Sequence, residues 1–117
     1  MRPSTIFDQA GALSRVCGDK ELLCQLFEML QDQAEITISE IHSSLGAADL
    51  ETTHRKAHHL KGALANLGAC SAQNVARDLE LAARSGDKLK AETLIHILEG
   101  EIESFYLSFR SFQDSEK

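Results

Sequence analysis

The only proline in this 117-residue chain is Pro3. Proline is the residue that most reliably interrupts a helix, because it lacks the backbone N–H and its ring clashes with the preceding turn. Its absence from position 4 onward allows long uninterrupted helices, and the apolar residues recur at helical rather than strand spacing. A weakly periodic segment runs from Ile6 to about Val16 and ends near Gly18. Asp19 can cap a second helix reaching about Leu45, with Leu23, Leu26, Phe27, Leu30, Ala34, Ile38, Ile41 and Leu45 facing a core. Gly46 is the expected stop, and Asp49 can cap a third helix.

The third helix covers about Leu50 to Leu67. Its seam is Leu50, Thr53, Ala57, Leu60, Leu64 and Leu67, spaced by threes and fours. Gly68 breaks it. A fourth helix, about Ala69 to Ser85, offers Ala72, Val75, Ala76, Leu79, Ala82 and Ala83. Gly86-Asp87 is stop and cap together. The fifth covers about Lys88 to Gln113, with Leu94, Ile95, Leu98, Ile102, Phe105, Phe109 and Phe112. Short connections make neighbouring helices antiparallel. The expected fold is all-α: an up-down four-helix bundle with the short first helix laid across one end. Residues 1–117 form one expected domain, large enough to bury a core without disulfides or metal.

The net charge of −6 opposes binding to nucleic-acid phosphates or to an anionic membrane. No apolar run approaches the roughly 20 residues of a membrane span, and Met1-Arg2-Pro3 does not open a signal peptide. Cys17, Cys24 and Cys70 are odd in number and lack metal-ligand spacing, as expected of reduced thiols in a cytoplasmic protein. A monomer is expected.

The chemistry concentrates in Ala57-His58-His59-Leu60-Lys61-Gly62-Ala63-Leu64-Ala65-Asn66-Leu67-Gly68. On a helical wheel His58 lies roughly 135° from the seam centre and is expected to be exposed. His54, Lys61 and Ala65 share its flank, and Gly62 lies near the outermost line. His59 is as exposed on the opposite flank, beside Arg55 and Asn66, so periodicity alone does not choose between the two histidines. An ordinary imidazole, with a pKa of about 6.5, is largely neutral at pH 7 and free to act as a nucleophile. A lysine three residues on can attract anionic oxygens without blocking the ring. Gly62 and Ala65 remove bulk, at a cost of about 1 kcal/mol for a mid-helix glycine relative to alanine. Gly62 serves close helix packing equally well on this reading.

His58, Leu60, Lys61, Gly62 and Gly68 match, at the same spacing, the signature of histidine-containing phosphotransfer (HPt) domains, which this chain resembles over nearly its whole length. The resemblance implies that His58 carries a phosphoryl group, with Lys61 beside it. It also implies that Glu80, twenty-two residues on, holds the other ring nitrogen. Glu80 sits in a polar stripe with Gln73, Arg77 and Arg84, so pairing with Arg77 or Arg84 is the competing expectation. Where some members carry Ser after the glycine, this chain has Ala63.

The implied partners are response-regulator receiver domains, a hybrid sensor histidine kinase, or both. The implied role is a phosphocarrier rather than an enzyme. Mg²⁺ is expected on the receiver and no cofactor in this chain. No glycine-rich phosphate loop follows a strand, so the chain is not expected to phosphorylate itself from ATP. Its place as a free-standing protein or the carboxyl-terminal piece of a hybrid kinase stays open.

Two further features stand apart. His54 and His58 are four apart, as metal ligands on one helix face are, but no third ligand in that helix completes a site, and no metal is expected. Leu22, Met29 and Ile36 form a second apolar line off the main seam of the second helix. Docking is expected around His58, with His54, Gly62, Ala65, Gln73, Arg77 and Met29 contributing. A helical-bundle interaction module that works without phosphorylation is the rival function.

Overall fold

A computed structural model describes residues 5–115. Five helices follow one another: α1 (Gln9–Arg15), α2 (Lys20–Gly46), α3 (Leu50–Asn66), α4 (Cys70–Arg84) and α5 (Lys88–Asp114). Helix α3 packs on α4, α4 on α5, and α2 closes the ring against α3 and α5, while α1 rests on α2. This is the expected bundle of four long helices with a short additional one.

Four of the five helices start on an aspartate. Asp8, Asp19, Asp49 and Asp87 each accept a hydrogen bond from a first-turn backbone N–H, at Gly11, Leu22, Thr52 and Lys90 respectively. The Asp8 cap corrects the expected start of the first helix at Ile6: the chain is not helical until it passes the carboxylate. Helix α4 has no side-chain cap. Its free N–H groups are met from outside, where Ser71 N–H donates to the Thr5 carbonyl at 2.8 Å.

That strand of chain before α1 is tied to the α3–α4 turn. Asp8 N–H donates to the Gly68 carbonyl at 2.8 Å. Gly68 has φ +74°, and a Cβ there would press on the Asp8 carbonyl oxygen at 2.6 Å. Both the turn and the close approach require glycine. The α2–α3 turn differs from expectation. Gly46 is the last helical residue, and the left-handed position is taken by Ala48, with φ 56°.

The core seams follow the periodicity, with two kinds of exception. Leu26, Ile38, Leu50, Val75 and Leu94 are only half-buried. Thr37 and Ser44 on α2 are buried although neither is apolar. Ser44 Oγ lies 2.6 Å from Thr53 Oγ1, and a bond from Ser44 to the Ile41 carbonyl completes its pairing. Phe27 stacks on Phe109 with ring centroids 4.0 Å apart, and Phe7 meets Phe105 edge-on. This aromatic cluster fastens the α2–α5 side and leaves α3 and α4 to carry the polar site.

Candidate functional site

The seam of α3 buries Thr53, Ala57, Leu60 and Leu64, and this fixes the rotation of the helix. His54, His58 and Lys61 are thereby aimed along the groove facing α4. The opposite side of that groove presents Glu80, which is buried among the small residues of α4.

Three side chains of α3 converge on this one carboxylate. His58 Nδ1 lies 2.8 Å from Glu80 Oε2. Lys61 Nζ lies 2.8 Å from Oε1. His54 Nε2 stands 3.5 Å from Oε2. Arg77 and Arg84 do not take Glu80, so the pairing runs between helices rather than along α4.

The electrostatics explain how a carboxylate stays buried. Its side chain is 8% exposed. Burial by itself pushes the Glu80 carboxyl pKa up, and it is outweighed by the contacts and charges of Lys61 and His58, which hold it below the ordinary glutamate value. Glu80 is therefore ionised and can only accept, so Nδ1 of His58 is the donor. Fixing the proton on Nδ1 leaves the lone pair on Nε2. The His58 side chain is 64% exposed, so that lone pair faces solvent on a ring held from behind.

Gly62 is exposed, and a Cβ placed on it meets nothing within 4 Å. The fold therefore does not need glycine there for helix packing. Ala65 is half-buried on the same flank. Gln73 is half-buried and Arg77 exposed on α4, two turns and one turn before Glu80. Met29 is 62% exposed, but it lies on the other side of α3 from Glu80. There it borders an apolar cleft of about 330 Å³ lined by Leu26, Leu30, His59, Leu60 and Ala63 among others. Sequence reasoning gave His59 and Ala63 no part in a binding surface. The signal was present in the wheel, which turns both toward α2. Among the described residues, no cluster of His, Cys, Asp and Glu has the arrangement of a metal site.

A family model for the Hpt domain matches residues 25–105. The chain belongs to that family. The match spans the bundle from α2 into α5, and with it His58 and Glu80. A comparison with curated proteins gives no match. Among solved structures the chain is similar to histidine-containing phosphotransfer protein B (HptB) from Pseudomonas aeruginosa PAO1. The identity is 25% and the TM-score 0.82, covering 96% of this chain and 97% of that one. The Hpt domain is a carrier of phosphoryl groups in two-component phosphorelays, not a kinase. Among the described residues no helix is long and apolar enough to cross a membrane.

Proposed function

We propose that this chain, acting as a single domain, accepts a phosphoryl group on His58 Nε2 from a receiver-domain aspartate and returns it to another. The observation that carries the reading is the exposed His58 ring with its Nδ1–H anchored on buried Glu80. In acceptance, the phosphorus–oxygen bond of the aspartyl phosphate breaks, leaving a carboxylate on the receiver, and a phosphorus–nitrogen bond forms at Nε2. Glu80 supports the positive charge that the ring gains as it bonds phosphorus. The transferring group is nearly free of covalent help from the protein, so orientation and charge are what this chain contributes. Lys61 offers its ammonium to the phosphoryl oxygens. Mg²⁺ belongs to the receiver.

The reading extends to a docking surface. The receiver covers the outward line of α3, with His54, His58, Lys61, Gly62 and Ala65, and reaches Gln73 and Arg77 on the α4 side. On the α2 side it covers Met29 and the apolar cleft beside His59 and Ala63. The absence of a side chain at Gly62 supports it, because the receiver pocket has to close around Nε2. Neither nucleic acid nor a membrane enters this reading, and the chain works as a cytoplasmic monomer.

Incubation with a phosphorylated receiver tests the reading. Acid-labile, alkali-stable label on this chain is expected, and on the His58→Gln variant none. Normal labelling of that variant, or no labelling of the parent by any receiver, overturns it and favours a docking module that works without phosphorylation.

A further inference from the structure

Glu80 is buried and charged, and its closest cation is Lys61. The same lysine is the one placed to meet the incoming phosphoryl oxygens. It cannot fully serve both. If Lys61 turns outward, Glu80 Oε1 loses its ion-pair partner in a site with little water, where an uncompensated carboxylate is costly. Oε1 is sequestered from solvent, and its close contact is the Lys61 ammonium at 2.8 Å.

His54 Nε2 is the second observation. It too is sequestered from solvent and has no hydrogen-bond partner. It stands 3.5 Å from Oε2, beyond hydrogen-bond distance but within the reach of a small side-chain shift. A buried ring nitrogen left unpaired in a native site calls for a reason. A carboxylate oxygen has room for two donors, and Oε2 has one well-formed hydrogen bond, from His58.

We propose that His54 is the reserve partner of Glu80: it closes on the carboxylate when Lys61 leaves for the phosphoryl group, and so keeps the His58 ring anchored through transfer. This rests on His58 being the phosphoryl carrier. His54 is a positioning residue, since it acts through Glu80 and does not touch the phosphoryl group. The charged group that faces it is Glu80 on α4, whose other contacts are His58 and Lys61.

The test separates this idea from the function on which it rests. Nitrogen-15 spectra of the His54 ring are recorded for the full chain in three states: the parent, the Lys61→Met variant, and the parent phosphorylated with phosphoramidate. In that reaction the reagent's phosphorus–nitrogen bond breaks, ammonia leaves, and a new bond forms to His58 Nε2. The His54 Nε2 resonance is expected to move toward a hydrogen-bonded donor both in Lys61→Met and on phosphorylation. The Lys61→Met arm needs no phosphoryl chemistry, so it decides the point even if His58 is not phosphorylated. An unmoved His54 resonance in Lys61→Met overturns the proposal, as does one that moves there but not in the phosphorylated parent.

Substitution supplies the second measurement. His54→Leu keeps bulk and removes the donor, and is expected to slow phosphoryl acceptance severalfold. His54→Gln, whose amide nitrogen reaches about where Nε2 sits, is expected to recover most of the rate. Equal rates in the two variants would mean that His54 merely fills space.

Discussion

The bundle carries two groupings of the same composition, each of two histidines and one glutamate. On the α3–α4 face, His54 and His58 meet Glu80. On the α2–α5 face, His42 Nε2 and His96 Nδ1 lie 3.3 and 3.5 Å from Glu99 Oε1. The ligand sets match, and the surroundings do not. Glu80 is 8% exposed and has a lysine at 2.8 Å, whereas Glu99 is 41% exposed. Around Glu99 water competes for every bond, and the contacts there are long. Around Glu80 water is largely excluded, so the bond to His58 is short and the ring orientation is set. A histidine beside a glutamate is common chemistry. Burial of the glutamate with a compensating cation is what holds the ring in one orientation.

The sharpest break of this comparison is to exchange the histidines' fates. His58→Gln is expected to abolish phosphoryl acceptance from a phosphorylated receiver, and to lower stability by about 1–3 kcal/mol, because buried Glu80 loses its Nδ1–H donor. His96→Gln and His59→Gln are expected to retain acceptance. Label on the His58 variant, or its loss in the His96 variant, would erase the distinction between the two groupings.

Gly62→Gln comes next in size. Its Cβ meets nothing within 4 Å, and glutamine is the better helix former by up to about 1 kcal/mol. Stability should stay level or rise while transfer falls strongly, because the added bulk stands beside the ring on the proposed docking surface. Transfer at the parent rate would show that the receiver approaches elsewhere. Hydrogen exchange on the bound complex gives an independent reading. Protection confined to the Arg55–His59 flank would contradict docking over His58.

Much of this was legible in the sequence, and the remainder has physical causes. The seams of α3 and α5 could be read because each is a long run of apolar residues at helical spacing, and three of the four aspartate caps stood next to glycine or apolar breaks. Asp8 was missed although its cap is local, accepting from Gly11 N–H, because the periodicity from Ile6 is weak; the tie that holds this segment, Asp8 N–H to the Gly68 carbonyl, joins residues sixty apart. Thr37 and Ser44 were missed because neither is apolar, and the partner that satisfies Ser44, Thr53, lies on the next helix. The site shows the same division. The exposure of His58 follows from the wheel. The choice of Glu80 over its own arginine neighbours does not, because local spacing favours Arg77 and Arg84 as strongly as it favours anything across the bundle. The convergence of His54 and Lys61 on that carboxylate needed coordinates.

A smaller effect is expected at Glu80 itself. Glu80→Gln keeps the shape and removes the charge that His58 and Lys61 share, so transfer should fall partially, and Lys61→Ala should slow it too. Parent rates in both at saturating donor would remove the pair from the mechanism. Losing the buried interactions should cost about 1–3 kcal/mol near neutral pH. The pH dependence has a definite sign. The folded-state pKa of Glu80 lies below its ordinary value of 4.5, so its contribution is fully present above that value and is lost as pH falls through the folded pKa. The parent should therefore lose stability in that acid window, and Glu80→Gln should lose less of it.

The smallest effect belongs to the second grouping. Glu99→Gln removes the charge facing His42 and His96, whose contacts of 3.3 and 3.5 Å are exposed and long. Exposed ion pairs contribute about 0–1 kcal/mol, because the charges are already well solvated and two side chains must be ordered to form the contact. Melting of this variant should shift by no more than about 0.5 kcal/mol at moderate salt. Its phosphoryl acceptance should equal the parent's. Raising the ionic strength should bring the two melting curves together, since screening weakens what little the exposed pair contributes, while the stability gap between parent and Glu80→Gln should persist. If Glu99→Gln instead costs as much as Glu80→Gln, and the cost survives in salt, then burial is not what separates the two faces of this bundle.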